Sequence, residues 1–266
     1  MAVRKKGAAG AFFIALAIAA AAFGWRPQTD TAASRCEPAR IDEAAAVKMV
    51  VDGDTLELTD GRRVRLIGIN TPELRHRDRG EEPLAREALE QLERQVAPGD
   101  TVGLEYDRQR RDRYGRLLAH VYRSDRTNVQ AELLDAGYAF TLIVPPNLAH
   151  LGCYGKAEDS ARADRRGIWR IPDFAPLRAV DLHRGDGGFK RVEGRITRVR
   201  ERRNDIEIEL DGKLLLLVEG RDLKYFGHAD FSGWRDRTIT VRGYVIARGR
   251  RLVMPLRHPE AVEDLN

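Results

Sequence analysis

Residues 47–73 read VKMVVDGDTLELTDGRRVRLIGINTPE, and the fold turns on how this stretch is parsed. β-prone residues run from 47 to 51 and again from 55 to 58, and apolar side chains alternate with arginine from Val64 onward. Asp52-Gly53-Asp54 interrupts the first run and Asp60-Gly61 the second, and both are turn chemistry. Three short β-prone runs joined by two tight turns predict consecutive antiparallel strands. Val64 and Leu66 point to one face of the third strand, so Arg65 points to the other.

Further along, Leu84, Ala88, Leu92 and Val96 recur at helical spacing, and Pro98-Gly99-Asp100 stops the pattern. Residues 101–106 and 117–122 read as two more strands, separated by a charged stretch at 107–116. Residues 129–136 predict a short amphipathic helix ended by Gly137, Pro145-Pro146-Asn147 a loop, and 153–166 a last helix stopped by Gly167. Short strands with helices packed at one side predict a small closed β-barrel of the OB type in a mainly β, α+β chain.

Two prolines at 171–176 and glycines at 185–188 mark a domain boundary. Beyond it, 191–198, 206–210, 214–218, 238–246 and 252–254 read as strands, with Asp211-Gly212 as a hairpin turn and a helical candidate at 222–226. A second OB-like barrel is the expectation for 186–264. The first domain is expected over 46–175, with 26–45 a polar linker. Lys190, Arg191, Arg195, Arg198, Arg200, Arg202 and Arg203 crowd the opening strand, among Phe189, Tyr225, Phe226, Trp234 and Tyr244. A basic groove with aromatic faces would suit single-stranded nucleic acid; the plain alternative is core aromatics and solvated arginines.

The 266 residues are 42% hydrophobic and 33% charged, which excludes a disordered or membrane-filling chain. Lys plus Arg outnumber Asp plus Glu by 46 to 41, a modest excess compatible with phosphate-bearing partners and equally with a mixed-charge surface. Residues 1–25 differ: Arg4, Lys5 and Lys6 precede an uncharged apolar run, the pattern of a secretory signal, with Ala20-Ala21-Ala22 acceptable to a signal peptidase. Cleavage would release a periplasmic or secreted protein; without it the run is a membrane anchor with the domains outside the cytoplasm. In that oxidising setting the two cysteines, Cys36 and Cys153, either pair or remain separate thiols.

Three segments carry chemistry: VVDGDTLEL at 50–58, VRLIGINTPE at 64–73 and DRYGR at 112–116. Singly they read as a turn, a solvated strand face with a proline exit, and a charged loop. Together, and with Gly-Ile-Trp at 167–169, they resemble the staphylococcal thermonuclease family in content and order over about 47–169. The resemblance implies a nuclease with Arg65, Glu73 and Arg116 as catalytic residues. It implies Asp54, Asn70 and Thr71 as ligands of a divalent cation, Ca²⁺ in the family, with Asp52 beside the ligands. Arg113 and Tyr114 match positions that meet nucleic acid.

The chemistry agrees, because cleaving a phosphodiester with water needs a base and fixed positive charge at the phosphate oxygens. Guanidinium forks and a carboxylate supply both. The chain departs from the family pattern at Asn70, where aspartate is usual, and at Leu142 and Val144, where the type member has tyrosines. The first change removes a negative charge, so weaker metal affinity or another cation is expected; the second removes base stacking. The partner expected is DNA or RNA, with no obligate protein partner evident, and the rival class is a non-cutting nucleic-acid-binding protein. His76 and His120 read as surface or core residues because the histidines lack metal-ligand spacing.

Overall fold

The computed structural model describes residues 36–74 and 80–266, so the signal expected at 1–25, the first half of the expected linker and His76 lie outside the described residues. Strand β1 (Glu43–Asp52) opens four residues before the run at 47–51, because Glu43 to Ala46 pair with a later strand of the wall. It turns at Gly53 into β2 (Thr55–Leu58), which turns at Gly61 into β3 (Arg63–Leu66). The two-residue β4 (Ile69–Asn70) follows, then α1 (Ala85–Gln95), β5 (Thr101–Arg111) and β6 (Leu117–Tyr122). Pairings run β1-β2-β3-β6-β5 and close, the contact between β3 and β6 alone being parallel. Helix α2 (Val129–Asp135), β7 (Phe140–Thr141) and α3 (Leu151–Ala163) complete the unit, with β7 antiparallel to β4.

Alternation on these strands sends Val47, Leu56, Leu58, Val64, Leu66, Leu104 and Val121 inward to complete burial, and Leu92, Leu133 and Leu134 plug the barrel from the helices. Asn128 starts α2 by accepting a hydrogen bond from Ala131 N at 2.9 Å, a cap contributing about 1 kcal/mol. Cys36 and Cys153 form a disulfide with Cα atoms 5.6 Å apart, tying the chain ahead of β1 to α3.

The second sheet begins ahead of the glycine stretch: β8 (Leu177–Arg178) runs parallel to β9 (Gly188–Arg202). Strands β10 (Asp205–Leu210), β11 (Leu214–Val218), β12 (Thr238–Arg248), β13 (Arg251–Pro255) and β14 (Val262–Leu265) follow. Pairing runs β9-β10-β11-β13-β12 and returns to β9, with β11 and β13 parallel. That is the connection order of the first barrel, so the chain carries one five-strand design twice, each around its own core. The helical candidate at 222–226 is a single 3-10 turn, Leu223–Tyr225.

The aromatics divide: Tyr225, Phe226, Phe231 and Trp234 pack with the second core, whereas Phe189 and Tyr244 face the first barrel. Of the basic set on β9, Arg198 and Arg202 pair with Glu209 and Glu207 of β10, and Arg191 is buried on Glu263. The barrels meet through polar contacts in α3, β12 and the loop at 142–147. Buried Glu158 accepts Arg242 Nη1 at 2.7 Å, Thr141 N at 2.8 Å and Thr141 Oγ1 at 2.9 Å. Phe189 lies between Phe140 and Tyr244, with ring centroids 5.3 and 5.7 Å away.

Candidate active site

The turn between β1 and β2 builds the first half of the site. Asp54 N donates to Asp52 Oδ1 at 3.0 Å, which folds the turn back on itself. A Cβ on Gly53 would sit 2.7 Å from Thr71 Oγ1, so only glycine lets the turn lie this close to the exit of β4. Asp54 is thereby buried, and its Oδ2 accepts Arg65 Nη2 at 2.8 Å and the Thr71 N and Oγ1 at 3.3 Å each. Burial raises the Asp54 carboxyl above the usual range; Arg65 opposes this, while Asp52 and Glu73 add to it.

Arg65 leaves the outer face of β3 as the alternation requires. Its guanidinium is fixed on three sides, by Asp54, by the Leu66 carbonyl and by the Ile69 carbonyl at 2.9 Å. Arg116 comes from the loop beyond β5, whose geometry Asp112 sets. One oxygen of Asp112 accepts the main-chain N–H of Tyr114 and Arg116 at 2.9 and 3.0 Å, and the other accepts Arg116 Nε at 2.8 Å. Arg113 reaches the Tyr114 hydroxyl at 2.6 Å and lies 4.8 Å from its ring centre; Tyr114 is 68% exposed.

Arg65, Arg113, Tyr114 and Arg116 line a single cleft of about 490 Å³. Glu73 is not among the residues that line this cleft. It is solvent-accessible, yet the surrounding atoms strip enough hydration to raise its carboxyl above the ordinary 4.5, and Asp52 reinforces this. Arg65 and Arg116 both pull it back down, which places the acid within the field of both guanidinium groups.

The residues expected to hold a cation lie next to one another but are already engaged. Asn70 Oδ1 accepts the Tyr244 hydroxyl at 2.6 Å, and Asn70 Nδ2 donates to the Thr71 carbonyl at 3.3 Å. Among the described residues no three His, Cys, Asp or Glu side chains gather as a metal cluster. The donor chemistry still fits a hard ion. Asp54 offers a carboxylate oxygen, Asn70 an amide oxygen and Thr71 a carbonyl, and the mutual repulsion of Asp52, Asp54 and Glu73 is what a cation would relieve.

The sequence reading assigns no role in this site to three contributors. Asp112 opens the DRYGR segment, four residues ahead of Arg116. Tyr244 reads only as an aromatic face of the second barrel, and Arg257 carries no local signal; both line the same cleft. His120 is buried in the core with Nδ1 2.7 Å from the Tyr154 hydroxyl, away from the cleft lining; burial lowers it to about 3, so it is neutral.

The family model described as Staphylococcal nuclease homologue matches residues 63–171, which span every expected site residue of the first barrel except Asp52 and Asp54. The Thermonuclease of Staphylococcus intermedius is 35% identical over 130 residues, covering 48% of this chain and 76% of that protein. An uncharacterized endonuclease of Escherichia coli O157:H7 is 36% identical over 136 residues, 49% of this chain and 79% of its own length. Endonuclease YhcR of Bacillus subtilis is 30% identical over 138 residues, 48% of this chain and 11% of that much longer protein. With 76% of the Staphylococcus intermedius protein covered at 35% identity, this chain belongs to the staphylococcal nuclease homologue family.

Proposed function

We propose that the chain is an exported endonuclease that hydrolyses phosphodiester bonds of DNA and RNA with a divalent cation, Ca²⁺ first among the candidates. The observation that carries this reading is the convergence of Arg65 and Arg116 on one cleft, with Glu73 inside the field of both. Arg65 and Arg116 hold the scissile phosphate through non-bridging oxygens and neutralise the charge that grows there as water adds. Glu73 takes the proton of the attacking water; the bond from phosphorus to the 5′ oxygen breaks, and solvent returns a proton to that oxygen, leaving a 3′-phosphate. Asp54, Asn70 and Thr71 would hold the cation, which supplies Lewis-acid polarisation of a phosphate oxygen when bound. Export rests on the basic and apolar leader at 1–25.

The test is digestion of single- and double-stranded DNA and of RNA in Ca²⁺, Mg²⁺ or chelator, comparing the parent with Glu73→Gln. Loss of the base should slow cleavage about 10²–10⁴-fold. Equal rates would discard Glu73 as base. Absence of cleavage by the parent in every metal would favour the binding-protein reading, to which the engaged Asn70 oxygen and the apolar Leu142 and Val144 lend some support.

A further inference from the structure

The cleft that holds the two catalytic arginines is not built by the first barrel alone. Tyr244 of β12 and Arg257, just past β13, line it together with Leu142 and Val144 of the first unit. Both are held in place. The Tyr244 hydroxyl is anchored on Asn70, and its ring meets Phe189 in a T-shaped contact, while 39% of the residue stays open. Arg257 donates from Nε to Asp222 at 3.1 Å and from Nη2 to the Pro145 carbonyl at 2.9 Å, spending two of its five N–H donors. Four arginines line the cleft, and three of them are ion-paired: Arg65 with Asp54, Arg116 with Asp112 and Arg257 with Asp222.

We propose that Tyr244 and Arg257 form a subsite, shared between the barrels, for one nucleotide of an unpaired nucleic-acid strand. Tyr244 supplies a pre-placed face for the base and Arg257 a contact for its phosphate. The inference rests on the nuclease reading above and extends it to the second barrel. A ring fixed at its hydroxyl loses little freedom on binding, the condition under which stacking contributes most. Leu142 and Val144 offer apolar contact but no aromatic surface. A cleft of about 490 Å³ suits a small segment of one strand rather than a duplex. Stacking on an aromatic face tolerates any base, so the subsite grips without selecting sequence.

The test uses the full chain carrying Glu73→Gln, with binding of a fluorescein-labelled oligothymidine and of an abasic strand of equal length read by anisotropy, in calcium and in chelator. Tyr244→Leu should weaken oligothymidine binding roughly 5- to 150-fold and leave the abasic strand within about 2-fold. Tyr244→Phe keeps the ring but loses its anchor on Asn70, so its oligothymidine affinity should fall between those of the parent and Tyr244→Leu. Arg257→Gln should weaken both strands and lower the slope of log affinity against log salt by about 0.7. If Tyr244→Leu fails to fold, the salt slope of Arg257→Gln decides. Equal losses on both strands for Tyr244→Leu, or an unchanged salt slope for Arg257→Gln, overturn the subsite. A parent that cuts DNA while these variants bind as it does brings down this inference alone; a parent that neither cuts nor binds brings down the nuclease reading and the subsite with it.

Discussion

At Glu73 opposing influences meet in one carboxyl. Partial loss of hydration and the charge on Asp52 favour its neutral form, and Arg65 and Arg116 favour the ionised one; the first pair prevails. A base raised in this way gains proton affinity at the cost of being protonated sooner as pH falls. The acid limb of kcat/KM should accordingly turn at an apparent pKa above the ordinary glutamate value of 4.5, and Glu73→Gln should abolish that limb. An acid limb unchanged in Glu73→Gln would assign it to another group.

Asn70 shows the same logic with a missing charge. Its amide oxygen serves the Tyr244 hydroxyl where a carboxylate could serve both the hydroxyl and a cation. Asn70→Asp should tighten calcium binding by about tenfold in calorimetry, since ligand charge sets affinity at oxygen sites. Unaltered affinity would place the cation elsewhere. His120 titrates in the opposite sense from a paired histidine. Its folded value near 3 lies below the ordinary 6.5, so the unfolded chain binds the extra proton between those values. Stability through this residue is complete above pH 6.5 and falls by about 1.4 kcal/mol per unit below it. Urea titrations at pH 5 and 7 should show a shallower loss in His120→Gln than in the parent.

Elements with one wet and one dry face were legible, and those with two wet faces were not. Val64 and Leu66 announce β3 and place Arg65 outside; Leu84 to Val96 announce α1 within two residues of its ends. Strand β5 runs on to Arg111 through what reads as charged loop, because beyond Tyr106 it leaves the barrel wall as a ribbon solvated on both faces and loses its alternation. Helix α3 likewise starts two residues early and ends three early, with Arg166 drawn off to Asp135. The ring closure of either barrel depends on long-range pairings that no local pattern records.

The loop after β5 is where this matters for chemistry. Three bonds to Asp112 fix the turn and the guanidinium of Arg116, so the orientation of the arginine proposed to hold the phosphate is a property of the turn rather than of the arginine. Asp112→Ala should lower kcat/KM about 10²-fold by misplacing Arg116, with thermal stability nearly unchanged at this exposed tip. Activity within a few-fold of the parent would show that substrate orders the loop unaided.

Across the whole molecule the barrels are coupled by a buried ion pair and by the ring stack of Phe140, Phe189 and Tyr244. Glu158 of α3 holds Arg242 of β12 together with the N–H and hydroxyl of Thr141, while Arg162 of the same helix approaches Glu263 of β14 at 3.6 Å. Each barrel has its own core, so the pair joins two units with separate hydrophobic interiors. Removing one partner leaves a buried charge and an unpaired N–H, a loss of about 3–5 kcal/mol. Glu158→Leu should therefore split one calorimetric transition into two, and because Tyr244 and Arg257 reach the cleft only while the barrels stay docked, it should also weaken single-strand binding. Adding Arg242→Leu removes the stranded charge and should recover part of the lost stability without restoring the Thr141 bonds. A single transition at unchanged temperature in Glu158→Leu would mean that the ring stack of Phe140, Phe189 and Tyr244, not the ion pair, holds the barrels together.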